Sequence, residues 1–376
     1  MLLDYGYPYI SGFCEPLPDA FDQLASHTEN VRLRKIKTQL IYSPTDLVLY
    51  LESPFASWMD RFALEQPQLA PEPDGDDPLM GLLAERGITH EDAQEQKFRN
   101  AGLNVVNVAT MDGSSPYQAS SGGVSKQADA IELTKELLHT GVDVIAQATL
   151  VGDKFRGHAD FLVKQPGASE LGDWHYEVWD TKLAQIAKPG FVLQLCCYAD
   201  MLHAVQGCYA EHCVVALGNQ TDEHIRLADC LDYYGAVKQE FLAAQDGWSS
   251  EHKPDPSRSS SHGKWSEYAQ SLLEERDHLS LVATITRATI DKLESAGITT
   301  RAALASIGEL SIAGVDTTAL NRLSIQAQLQ IESEGLDRPA YRVIPPDSIE
   351  TADPIAEDGI ESVIAHQARG LEALPA

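Results

Sequence analysis

The chain has 376 residues, 43% of them hydrophobic and 22% charged, which allows one large buried core with one or two smaller ones. Its formal net charge of −28 argues against a protein that coats nucleic acid through a general basic field. No apolar run reaches the roughly 20 residues of a membrane-spanning helix, and the opening MLLDYGYPYISGFCEPLPDAF carries acids and prolines where a targeting leader is basic and then apolar, so no membrane partner and a cytoplasmic location are expected. The six cysteines, at positions 14, 196, 197, 208, 213 and 230, make no CxxC pair, which argues against a zinc knuckle or a disulfide framework.

Residues 1–40 read as an irregular leader ending in a basic, apolar strand, VRLRKIKTQLIY. Ser43, Pro44 and Asp46 then start a helix whose Leu47, Tyr50, Leu51, Phe55, Trp58 and Met59 share one face, with a break at Pro54. PQLAPEPDGDDP is a loop, and the next helix runs past His90 and Glu91 to a turn at Gly102 and a strand. Residues 113–126 form a flexible loop near a substrate entrance. After another helix, VDVIAQATLVGDKFRGHADFLVKQPG reads as a hairpin turning at Gly152 and Asp153. DWHYEVWDTKLA is a strand, FVLQLCCYADMLHAVQG a helix closed by Gly207, and EHCVVALG a further strand. This order gives an α/β domain over 41–250, a linker over 251–280, a small helical domain over 281–335 and an acidic tail over 336–376 expected to be poorly ordered.

Strand alternation puts Tyr176, Val178, Asp180 and Lys182 on one face and Glu177, Trp179 and Thr181 on the other. Charges inside an apolar strand are costly unless they are paired or bind something. The preceding hairpin delivers a second acid, Asp160, among small and apolar residues in GHADFLV. Two carboxylates on adjacent strands suit a hard divalent cation, which leaves positions for water and phosphate, and a nearby lysine can steady the attacking water. Gln194 and Tyr198, at i and i+4, lie on one side of the following helix.

GHADFLV, YEVWDTKLA and QLCCYADML resemble motifs II and III and the Q-x-x-x-Y helix of the RecB-like branch of the PD-(D/E)XK nuclease superfamily, and ERGITHEDA resembles that branch's motif I helix. The resemblance implies a restriction-endonuclease-like core, a mixed sheet flanked by helices. It implies that His90, Asp160 and Asp180 ligate Mg²⁺ or Mn²⁺, that Lys182 is the catalytic lysine, that Gln194 and Tyr198 support the site and contact DNA, and that Glu91 is a supporting acid. It extends over roughly residues 40 to 335. YSPTDLVLYLESPFASWMDRFAL and RDHLSLVATITRATIDKLESAGITTRAALASI are similar to the bacterial relatives in which the nuclease module precedes a helix-hairpin-helix-like segment, an RNase H-like domain and often a helicase.

Relatives often hold an iron–sulfur cluster through cysteines in the first helix and around a tryptophan after the linker. The matching places here carry Ser53, and Ser260, Gly263 and Ala269 around Trp265, so no cluster is expected. The expectation is a metal-dependent deoxyribonuclease acting on single-stranded ends or flaps in DNA repair, processing or defence, with a helicase or RNase H-like partner or fused domain. Its rival is a catalytically inactive nuclease fold serving as a scaffold or regulatory module of a larger helicase–nuclease complex. RNA processing is a third option.

Overall fold

Ser43 and Asp46 open the first helix with a reciprocal cap: Asp46 N donates to Ser43 Oγ at 3.2 Å and Ser43 N donates to Asp46 Oδ2 at 2.7 Å. The computed structural model describes residues 33–36, 39–75, 78–111, 124–308 and 311–342. The leader up to residue 32, residues 112–123 of the entrance loop and the tail from 343 lie outside the described residues. Contacts divide the chain into two compact units, Met1–Glu275 and Arg276–Ala376.

In the first unit, β1 (Arg34–Ile36) and β2 (Gln39–Ile41) form a small hairpin. Helix α1 (Pro44–Glu52) ends where Ser53 is extended, and Pro54 begins α2 (Pro54–Glu65), so the proline splits the apolar stretch into two helices. Helix α3 (Pro78–Asn100) leads through Gly102, in the left-handed region at φ 82°, to β3 (Val105–Asn107) and the short α4 (Val108–Met111). Then follow α5 (Val124–Thr140), β4 (Val144–Val151), β5 (Arg156–Ser169), β6 (Gly172–Lys182), α6 (Pro189–Gln206), β7 (His212–Leu217), β8 (Asp222–Arg226), α7 (Leu231–Asp246) and α8 (Ser266–Glu275).

The fold is mixed α/β. One six-stranded sheet runs β3-β4-β5-β6-β7-β8, parallel at β3–β4 and β6–β7 and antiparallel elsewhere. On one face, Ile145, Ala148, Leu162, Tyr176, Val178 and Val215 pack with Leu138 of α5 and Leu195 of α6. On the other, Val144, Ala146, Phe161, Trp179 and Val214 pack with Phe98 of α3. Cover on both faces explains why VIAQATLV is almost continuously apolar instead of alternating. Helix α6 ends at Gly207, whose φ of 71° is the left-handed cap that favours glycine.

The segment after residue 250 does more than link. Trp265 and Ala269 are buried with Phe55, Trp58 and Met59 of α2, and Trp265 Nε1 donates to Asp60 Oδ1 at 2.8 Å. The second unit contains α9 (Arg287–Ser295), α10 (Arg301–Ala305) and α11 (Thr317–Glu332), capped by Thr286, Thr300 and Asp316, around Leu293, Leu304, Leu320 and Ala327. None of the described helices is long and apolar enough to cross a membrane.

Candidate active site

The site forms where β5 and β6 part. Their ladder runs to Phe161↔Trp179, which puts Asp160 and Asp180 next in line on the two strands. Asp160 Oδ2 accepts the Thr181 N–H and the Thr181 Oγ1–H, each at 2.7 Å, so its carboxylate supplies the partner that strand pairing no longer gives. Asp160 is 6% exposed and Asp180 2%. Both acids of the sequence pattern are therefore buried together.

Asp180 Oδ2 lies 2.5 Å from Lys182 Nζ, and Lys182 is 4% exposed. No donor is aligned on that oxygen as a hydrogen bond, so the pair is held by charge more than by direction. Lys182 Nζ also sits 5.4 Å above the Phe191 ring of α6. Glu177 is on the opposite side, accepting from Gln165 Nε2 and Trp179 Nε1 at 2.8 Å each.

Helix α3 brings its two candidate residues to different partners. His90 Nε2 is 2.9 Å from Ala216 O of β7, which is level with Thr181 in the sheet. Glu91 is the residue placed in electrostatic reach of Asp160 and Asp180. Burial, with the Asp160 charge next in weight, pushes the Glu91 carboxyl up to about 9. Burial likewise raises Asp180 to about 7; Lys182 opposes the rise and Asp160 adds to it. Burial pulls the Lys182 ammonium down, but Asp180, Asp160 and Glu91 more than offset it, and its pKa is raised.

Gln194 and Tyr198 of α6 are buried, at 4% and 0% exposure. Burial holds the Tyr198 phenol well above its ordinary pKa, and the Asp180 charge is the next cause. A Cβ at Gly157 would stand 2.8 Å from Tyr198 Cε1 and 3.0 Å from Pro44 Cδ, so the glycine of GHADFLV is what lets this ring reach the sheet. Tyr198 thus lies within electrostatic reach of both Asp180 and Asp160.

Two participants were not visible in the strand pattern. Thr181 belongs by alternation to the far face, yet its hydroxyl and amide both serve Asp160. Gln147, a lone amide in VIAQATLV, donates from Nε2 to Glu91 Oε1; a polar residue interrupting an apolar strand is the signal that would have found it. Ser53 Oγ caps α2 by accepting from Ala56 N at 3.0 Å and lies 2.9 Å from His262 Nδ1.

Among the described residues no three His, Cys, Asp or Glu side chains converge as a ready-made metal cage. Mg²⁺ usually takes only one or two carboxylates and completes its shell with water and phosphate, so Asp160 and Asp180 fit it in donor chemistry. The ill-aligned Asp180 oxygen is a buried acceptor with capacity to spare. Compared with known proteins, the chain matches no protein-family model and no curated protein.

Proposed function

We propose that the first unit is a RecB-like nuclease module of the PD-(D/E)XK type, an Mg²⁺- or Mn²⁺-dependent deoxyribonuclease for single-stranded ends or flaps, working in the cytoplasm in DNA repair, processing or defence. One observation carries this reading. Glu91, Asp160 and Asp180 surround a single ammonium, Lys182, which leaves two buried negative charges unbalanced when all are ionised. Burial and mutual repulsion raise both Glu91 and Asp180, which favours protonation in the metal-free protein, and a divalent cation would carry the matching charge.

In this mechanism Asp160 and Asp180 would hold the ion, with His90 as the nitrogen donor implied by the motif resemblance. When bound, such an ion would supply charge neutralisation for phosphate and a more acidic water. Lys182 Nζ orients the water that attacks phosphorus and steadies the charge that develops as the P–O ester bond breaks. Thr181 fixes the Asp160 carboxylate through two bonds, and Tyr198 and Gln194 hold the floor of the site from α6. The second unit is assigned the role of a helix-hairpin-helix-like DNA-holding domain, with a helicase or RNase H-like partner.

The test is degradation of end-labelled single- and double-stranded DNA by the full chain with Mg²⁺ or Mn²⁺. Metal-dependent cleavage lost in both Asp180→Ala and Lys182→Ala is the expected result; a folded chain that neither cleaves nor binds metal overturns the reading. The lack of a three-ligand cage among the described residues favours a second reading, a nuclease fold retained as a scaffold. A folded chain that neither cleaves any DNA nor binds metal would select it.

A further inference from the structure

Four non-glycine residues among those described have a positive φ, and Gln147, at 52°, is the one inside a strand. Gln220, Asp277 and Thr284 lie in turns or bends. An L-residue rarely takes the left-handed conformation, and in the middle of a buried strand it persists only when its surroundings hold it there.

The backbone shows what the conformation does. Ile145 and Ala148 belong to the same core while Ala146 belongs to the core on the opposite face, so the alternation of β4 reverses at Gln147. The same reversal occurs on β5: Ala159 and Leu162 face one core and Phe161 the other, with the break at Asp160. These two residues lie between the register pairs Ala146↔Phe161 and Ala148↔Ala159. The paired strands therefore kink together at the point where one carries an active-site acid. There the Gln147 amide meets Glu91 of α3, and the Asp160 carboxylate leaves the ladder for Thr181 of β6. Gln147 itself is 7% exposed.

We infer that Gln147 is a positioning residue of the proposed centre: its left-handed backbone and its Nε2–H donated to Glu91 Oε1 hold the motif I carboxylate against Asp160 and Asp180. This rests on the reading of that cluster as a divalent-cation site. With a cation bound the Glu91 carboxylate would be ionised and would only accept, so the donating end of the amide is the one that suits it. The kink is thus a conformational cost retained at the site and absent from the rest of the sheet.

The test separates positioning from folding because glycine takes φ 52° freely. In the full chain, Gln147→Gly removes the amide and the backbone cost together; Gln147→Asn keeps a residue type that tolerates the left-handed region but shortens the reach by one methylene. Mn²⁺ binding is read by the electron paramagnetic resonance signal of the free ion, and folding by thermal unfolding. The expected result is a midpoint unchanged or higher for Gln147→Gly, with Mn²⁺ affinity lowered about tenfold or more in both variants, the scale on which groups that orient metal ligands act. Wild-type-like Mn²⁺ affinity in both variants would overturn the inference and leave the nuclease reading intact. A lowered midpoint that accounts for the lost affinity would assign Gln147 to folding alone and overturn it as well. Failure of the wild-type chain to bind Mn²⁺ would remove the reading on which both stand.

Discussion

Asp160 and Thr181 are bound twice, through the Thr181 amide and hydroxyl to the same carboxylate oxygen at 2.7 Å. The contact spans the two strands at the point where their backbone ladder ends. It fixes one acid of the site without using the lysine.

Thr181→Val keeps the amide donor and the side-chain volume but removes the hydroxyl. A hydrogen bond to a charged group contributes about 1.5–3 kcal/mol, so a stability loss toward the lower part of that range is expected in urea unfolding. Cleavage should fall about tenfold as the carboxylate gains freedom. Unchanged Mg²⁺ dependence and rate would mean that the amide alone suffices.

Lys182 is the only ammonium placed against Asp180, Asp160 and Glu91 in the described residues of this cluster. Lys182→Met should abolish cleavage and, at about pH 8, destabilise the metal-free chain by about 3–5 kcal/mol, as removal of one partner of a buried pair does. At about pH 5 the loss should shrink, because Asp180, with its pKa near 7, takes up a proton instead. Equal destabilisation at both values would contradict the charge balance described for this site.

Glu91 and Asp180 are raised in the folded chain to about 9 and about 7, above the roughly 4 of unfolded carboxyls. The native state therefore binds more protons than the unfolded state across that interval, and stability must fall as pH rises. These two groups contribute fully below about pH 4, and their contribution is lost as pH climbs through about 7 and then about 9. Thermal unfolding in chelator should show a midpoint that declines from about pH 5 to about pH 9, with Mg²⁺ restoring it most at the alkaline end. A shallower decline below about pH 7 in Asp180→Asn, with the Glu91 part retained, would assign that share of the slope to Asp180; an unchanged slope would place it elsewhere.

Gly157→Ala tests the buttress. The new methyl would meet Tyr198 at 2.8 Å, a separation that forces the ring or the strand to shift. Overpacking of this kind costs about 1–3 kcal/mol. Because the ring sits beside the carboxylates, the rate should fall more than DNA affinity does, measured as kcat against KM. A loss confined to KM would place Tyr198 in substrate contact instead.

Much of this architecture was legible in residue order. Ser43, Pro44 and Asp46 marked a helix start, Pro54 its interruption and Gly207 a helix end, because capping chemistry is local. Asp180 and Lys182 shared a face because a strand repeats every two residues. The kink at Gln147 was hidden by the same rule: alternation assumes an unbroken strand, and a left-handed residue reverses it. Strand β8 and helix α7 were not anticipated, since DEHIR is mostly exposed and carries little apolar signal. The run SRSSSHGKWSEYA looked like a linker because its buried groups are a histidine, an alanine and one tryptophan, held partly by hydrogen bonds that hydrophobic patterning cannot see.

The contact between Ser53 and His262 joins positions 209 residues apart. Helix α2 and the Trp265 segment bury each other, so the beginning of the first unit has no complete apolar cover until its end has been made. On the ribosome, α2 must wait for residues near 265 to leave the exit tunnel, with Phe55, Trp58 and Met59 unsheltered in the meantime. A chain cut after the last strand of the sheet would expose that same surface permanently. Synthesis of this unit is therefore a closing of its two ends, and chaperone demand should peak just before α8 emerges.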